Sequence, residues 1–267
     1  MNTSRWAAAD CRHLPHLERI LCAFDVEHPS PDALGLANLL AERFGASLET
    51  LYVATGSPAQ AILERARASR CDLIVLGSRS RSDLGWQFRD DIVRDVSALA
   101  DCGTLTVHER DTSPMVESIL VPVDFGPATE STLECAAALA LRFDTKVQLL
   151  HVVSHESFDA KTQLLALQER LSLLGVAVAA QIVVASSVAG GIESFNQRAE
   201  FDLVVMGSSS SRDPARLTRG IVATLRSRLS VPLLSVRTTP RASTLACALP
   251  LDPEVAEAPA ARAKLSA

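Results

Sequence analysis

Two short stretches decide the fold: RILCAFD at Arg19–Asp25 and SILVPVD at Ser118–Asp124. Each is an apolar run of buried-strand length closed by an aspartate, and the two sit 99 residues apart. The same offset aligns Phe44 with Phe143 and LETLYV (Leu48–Val53) with VQLLHV (Val147–Val152). The offset then jumps. CDLIVLGS (Cys71–Ser78) meets FDLVVMGS (Phe201–Ser208) at 130, and CGTLTV (Cys102–Val107) meets VPLLSV (Val231–Val236) at 129. The chain is an internal duplication whose first copy lacks about 31 residues after its second strand and holds one extra residue after Gly77.

The complete copy alternates strands and helices. Strand Ile119–Val123 leads to a helix from about Ala128, with Pro127 at its start and Leu133, Ala136, Ala137, Ala140 and Leu141 on one face. Strand Val147–Val153 follows, then a helix carrying Leu164, Leu167, Leu171 and Leu174 that stops near Gly175. VAVAAQIVV is a third strand, and Ile192, Phe195 and Ala199 mark a third helix. Strand Leu203–Met206, a helix with Val222, Leu225 and Leu229, and strand Leu233–Val236 complete the unit. This alternation implies a parallel sheet with helices on both faces. The missing residues amount to one helix plus one strand, so four strands are expected in the first copy and five in the second.

The bulk numbers suit a globular core: 48% hydrophobic and 21% charged residues, with net charge −5 and pI near 5.7. That charge disfavours general nucleic-acid or anionic-membrane binding, and no apolar run reaches the ~18 residues that span a bilayer. The N-terminal stretch has no apolar signal core. The six cysteines are scattered without a C-x-x-C, and Cys22 and Cys135 fall within apolar patterns as buried thiols, which fits a reducing cytoplasm. Cys11, His13 and His16 read as a solvated arm rather than a metal site, since no fourth ligand accompanies them. Walker, Rossmann and nucleophile-elbow motifs are absent.

The repeat unit resembles the universal stress protein family. The carrying residues are ILVPVD (Ile119–Asp124), DLVVMGS (Asp202–Ser208), Gly220 thirteen residues after Gly207, and GSPAQAI (Gly56–Ile62) in the first copy. The likeness spans roughly residues 18–108 and 116–237. It implies two open parallel sheets of the adenine-nucleotide-alpha-hydrolase-like type, with strand order 3-2-1-4-5 and the first lacking one helix and one strand. It also implies pairing of the two copies through their last strands, Leu105–Val107 and Leu233–Val236. Four segments are expected: an N-terminal arm (1–17), a truncated domain (18–110), a complete domain (111–237) and a disordered tail rich in Ala and Pro (238–267).

Nucleotide-binding members of the family use the end of strand one and a loop of pattern G-x2-G-x9-G-[S/T], whose glycines let backbone approach phosphate and whose last residues open a helix. In the second copy this maps the candidate site onto Pro122, Val123, Asp124, Val152, Met206, Gly207, Ser208, Ser209, Ser210, Gly220, Ile221 and Val222. Ser210 replaces a glycine, and a left-handed backbone there would cost about 1 kcal/mol or more. Ile221 replaces a hydroxyl. Ser208, Ser209 and Ser211, with Arg212, Arg216 and Arg219, offset part of this loss. In the first copy Ser80 and Asp90 or Asp91 replace the second and third glycines. A carboxylate ~4 Å from a phosphate charge costs on the order of 4 kcal/mol, near a thousandfold in affinity. An aspartate at a helix start instead complements the dipole, so the first site reads as closed to ATP. His151 and His155 follow strand two near the cleft mouth and read as strand-end residues that could also touch a ligand.

The expectation is a cytoplasmic stress-response regulatory or binding protein, non-catalytic, with degenerate nucleotide sites and no resident cofactor. Its partner would be its own second copy, a homodimer mate or a regulatory protein, without nucleic acid or membrane. The alternative is an ATP-binding switch with slow hydrolysis that uses the second copy alone. An adenine-nucleotide enzyme of the wider superfamily is a third reading, without a nucleophile–base constellation behind it. The deletion also leaves Leu48–Val53 as a bare sheet edge, with Trp6, Leu14 and Leu17 as candidate cover and Glu49 as the simpler guard. Deleting residues 1–16 is expected to lower solubility in a centrifugation assay; unchanged solubility and urea midpoint would leave the edge to Glu49.

Overall fold

The computed structural model describes residues 17–26, 29–53, 57–78, 90–108, 115–155, 158–208 and 220–237, Asp90 by its backbone alone. The first half runs β1 (Arg19–Asp25), α1 (Pro31–Phe44), β2 (Ser47–Val53), α2 (Pro58–Ser69), β3 (Leu73–Ser78), α3 (Asp90–Leu99) and β4 (Gly103–His108). The second runs β5 (Ser118–Pro122), α4 (Thr129–Phe143), β6 (Lys146–Val153), α5 (Phe158–Leu173), β7 (Val178–Val184), α6 (Val188–Ala199), β8 (Leu203–Ser208), α7 (Ile221–Arg226) and β9 (Leu233–Arg237). Local chemistry sets these bounds. At α1 the Ser30 Oγ accepts from the Ala33 N–H at 3.3 Å, Pro31 supplies a preset first turn, and Gly45 at φ 68° closes the helix.

The sheet order is β2-β1-β3-β4-β9-β8-β5-β6-β7. Within the second half this is the expected 3-2-1-4-5, and the first half keeps the same order without its third strand. The expected pairing of the last strands joins the two open sheets edge to edge into one nine-stranded sheet. β4 and β9 join antiparallel, Thr104 opposite Ser235, Leu105 opposite Leu234 and Thr106 opposite Leu233, while the pairings within each half are parallel. Each last strand would otherwise carry an unpaired row of N–H and C=O groups, and the seam satisfies both.

A pseudo-two-fold axis follows from that pairing. The Arg43 guanidinium lies 5.6 Å from the centre of the Phe143 ring, and Arg142 lies 5.2 Å from that of Phe44. Both pairs are related by the 99-residue offset of the duplication, as a self-complementary contact requires. Arg142 also donates to the Arg43 carbonyl at 3.1 Å. On this face α1, α4 and α5 share one apolar cluster that runs unbroken beneath both halves. The opposite face holds two clusters, one under α2 and α3 and one under α6 and α7.

The deletion shows in β2. Its counterpart β6 is covered on one side by β7 and largely buried, whereas β2 ends the sheet and is mostly half-exposed. Glu49 on that edge is ion-paired with Arg65 of α2, a charge that disfavours strand addition. Leu17 packs half-buried on the large cluster; Trp6 and Leu14 lie outside the described residues, as does the expected tail. Among the described residues no helix is long and apolar enough to cross a membrane.

Leu234→Asp puts a carboxylate into the seam, where Leu234 is 6% exposed. It is expected to cost about 3–5 kcal/mol in urea unfolding, the penalty of an uncompensated buried charge. Leu173→Asp, on a side chain 62% exposed, is expected to stay within about 0.5 kcal/mol of the parent.

Candidate functional site

The C-terminal ends of β5 and β8 diverge at the point where strand order reverses, and a cavity of about 400 Å³ opens there. Pro122, Val123, Asp124, Val152, Met206, Gly207, Ser208, Gly220, Ile221 and Val222 all line it. Ten of the twelve nominated positions therefore meet in one crevice; Ser209 and Ser210 lie outside the described residues.

The loop after β5 is built around Asp124. Its carboxylate Oδ1 accepts the Gly126 N–H at 2.9 Å, which turns the chain back toward α4. Phe125 between them sits at φ 56°, in the left-handed region, at a cost of roughly 1–2 kcal/mol for a side-chain-bearing residue. Its ring packs 4.5 Å, centroid to centroid, from His151. His151 is half-buried, lines the crevice, and has Nδ1 2.7 Å from the Val123 carbonyl. A carbonyl only accepts, so Nδ1 carries the proton and donates. His155 is exposed, its Nδ1 2.9 Å from the Ser154 hydroxyl.

Gly207 has a role that the loop pattern alone does not convey. A Cβ there would stand 2.5 Å from the Ala128 Cβ and 2.8 Å from the Thr132 Oγ1, so bare backbone lets α4 rest on β8. Gly77 meets the same demand in the first half, where a Cβ would stand 2.5 Å from that of Ser30. Both glycines end extended strands rather than forming left-handed turns. Close packing is reason enough for glycine at both positions.

The helix starts differ between the halves as the sequence implies. Asp91 Oδ1 accepts the Ile92 N–H at 3.1 Å at the start of α3. At the corresponding start of α7, Gly220 presents no side chain, with φ −71° and ψ 156°.

Sequence reasoning missed the far wall of the crevice. Arg94, Ser97 and Ala98 of α3, in the first half, line it together with Thr132, Arg226 and Ser235. The available signal was the expected pairing of last strands, because α3 follows β3 and so flanks the seam. Arg237 of β9 fastens this wall by donating from Nη2 to the Ser97 carbonyl at 3.0 Å and to that of Ala98. These are last-turn carbonyls of α3, which a cation complements. Burial holds this guanidinium below its ordinary value. Among the described residues no three His, Cys, Asp or Glu side chains gather to hold a metal ion.

A duplicated open parallel sheet places a crevice at each point where strand order reverses, where ligands of open α/β folds generally sit. A sequence profile of the universal stress protein family matches residues 49–108 and 115–237, more than half of the chain, and the protein belongs to that family as a tandem member. Among solved structures, a universal stress protein from Archaeoglobus fulgidus is similar at 16% identity and TM-score 0.59, over 77% of this chain and 74% of that one. A functionally unknown protein from Pseudomonas aeruginosa PAO1 is similar at 15% identity and TM-score 0.59, over 83% and 92%. At these identities the likeness is one of fold. No match was found among curated proteins.

Gly207→Ala is expected to destabilise the protein by about 1–3 kcal/mol in urea unfolding, because α4 must shift outward. Gly77→Ala should behave alike, since the obstructing atom there is also a Cβ close to the backbone.

Proposed function

We propose that the protein is a regulatory binding module without turnover, with one ligand crevice in its second half and a closed counterpart in its first. The supporting observation is how the crevice's polar side chains are engaged. Asp124 holds the Gly126 N–H, His151 the Val123 carbonyl, Thr132 the Ala128 carbonyl at 2.7 Å, and Ser208 the Val236 carbonyl at 3.2 Å. Each of these side chains spends one polar atom on main chain, which fixes its direction in the pocket, and among the described crevice residues none hydrogen-bonds another as a nucleophile to its base. The crevice volume falls in the ordinary range for small-molecule sites, about 300–1,000 Å³. The Ser97 hydroxyl, 93% buried on the α3 wall, has no hydrogen-bond partner among the described residues and is a polar group that a ligand would satisfy. In the first half, the Asp91 carboxylate takes the helix-start N–H that an anion would need.

A second reading, an ATP-binding switch in the second half, is favoured by the absence of any side chain at Gly207 and Gly220, which border the crevice. Calorimetric titration with ATP and Mg²⁺ separates the two. Silence in both the parent and Gly220→Asp fits a non-nucleotide ligand. Binding by the parent that weakens about a thousandfold in Gly220→Asp, the cost of a carboxylate beside phosphate, fits the switch. For turnover itself, phosphate release from Mg²⁺–ATP is expected to equal the buffer blank. Release above the blank that disappears in Asp124→Asn would overturn the non-catalytic reading.

A further inference from the structure

Away from the crevice, at the opposite end of the strands, two thiols of the first half face each other. Cys71 lies two residues before β3 and Cys102 directly before β4, and these strands run in parallel register from Leu73 and Gly103. The sulfurs stand 3.7 Å apart, although 31 residues separate them in sequence. Cys71 is held by its own N–H, which donates to the Ala66 carbonyl at 3.0 Å behind the left-handed Arg70 cap of α2. A cavity of about 250 Å³ opens on the pair, lined by both cysteines with Arg67, Arg70 and Asp101. Small polar solutes therefore have a route to the sulfurs, past two guanidinium-bearing side chains.

We propose that Cys71 and Cys102 form a redox-active dithiol, a site of reversible oxidation to a disulfide by a hydroperoxide. A sulfur–sulfur separation of 3.7 Å must close to about 2.05 Å, which side-chain rotation and a small shift of the two strand-leading loops supply. The first step is attack of the Cys71 thiolate on a peroxide oxygen. The O–O bond breaks, the leaving oxygen takes a proton and departs as water, and Cys71 becomes a sulfenic acid. In the second step the Cys102 sulfur attacks the Cys71 sulfur. The S–O bond breaks, and hydroxide leaves as water with the proton from Cys102. In sum, two thiols are oxidised to one disulfide and hydrogen peroxide is reduced to two waters.

The roles follow from the contact between the thiols. A hydrogen bond from the Cys102 S–H lowers Cys71 below the ordinary thiol value, whereas Cys102 is raised by the same contact and by burial. Cys71 is thus the sulfur that ionises and attacks first. Cys22 and Cys135 contrast with it: burial pushes both up to about 12. A disulfide of this kind in a reducing compartment is transient and sensing rather than structural. The site does not depend on what the second-half crevice binds.

The test uses the reduced full chain and stoichiometric hydrogen peroxide. The thiol titre after unfolding is expected to fall by two, with a mass loss of about 2 Da for two hydrogens. Trypsin should then release the Cys71–Arg79 peptide linked to the Asp95–Arg110 peptide, a link that dithiothreitol breaks. Cys102→Ser is expected to lose the link and to accumulate a dimedone-reactive sulfenic acid on Cys71. An unchanged titre in the parent, or a link formed through any other cysteine, overturns the proposal. So does a dimedone adduct in Cys102→Ser that bypasses Cys71. The parent measurements stand alone should that variant fail to fold.

Discussion

The structure depends on a short antiparallel contact. Thr104, Leu105 and Thr106 of β4 lie against Ser235, Leu234 and Leu233 of β9, and among the described residues every other strand pairing is parallel. Without that seam, two parallel sheets would each present a last strand with bare N–H and C=O groups and an apolar flank. With it, one sheet has only two outer edges, β2 and β7. The apolar cluster beneath α1, α4 and α5 continues across the seam, and Arg43 and Arg142 stack on each other's neighbouring phenylalanines above it. The duplication thus folds as a covalently linked version of a two-fold dimer, whose halves were free to diverge once they shared a chain.

Their divergence is directional. The first half lost a helix and a strand, and its outer edge is guarded by the Glu49–Arg65 pair. Its helix start at α3 is occupied by the Asp91 carboxylate. Yet that same helix supplies Arg94, Ser97 and Ala98 to the wall of the crevice in the other half, tied there by Arg237. The reduced half works as scaffold and wall, and the complete half retains the opening. Such a division of labour is available to a tandem chain and not to a dimer of identical subunits, where every change appears twice.

Much of this was legible in the amino-acid order. The 99-residue offset between RILCAFD and SILVPVD exposed the duplication, and the jump to 130 located the missing helix and strand. The crevice-lining positions from Pro122 to Val222 came from family resemblance plus spacing, and ten of them converge. Other features needed three dimensions. The pairing of the last strands came with the resemblance, but its antiparallel register, Leu105 opposite Leu234, joins strands whose local pattern is that of any buried strand. The packing demand on Gly207 comes from Ala128 and Thr132, which no turn motif mentions. The proximity of Cys71 and Cys102 follows from the parallel register of β3 and β4, invisible in a sequence without a C-x-x-C. His151 read as a strand-end residue, and only the fold shows its ring packed on Phe125 inside the crevice.

Native-state hydrogen exchange followed by NMR tests the central claim most directly. If the seam makes one cooperative body of two halves, the hydrogen-bonded amides of Thr104–Thr106 and Leu233–Ser235 will exchange only through global unfolding. Their opening free energy will match that of the β1 and β5 cores and the value from urea denaturation. Seam amides that exchange at much lower free energy, while β1 and β5 stay protected, would mean that the halves part without unfolding, and the account would be wrong.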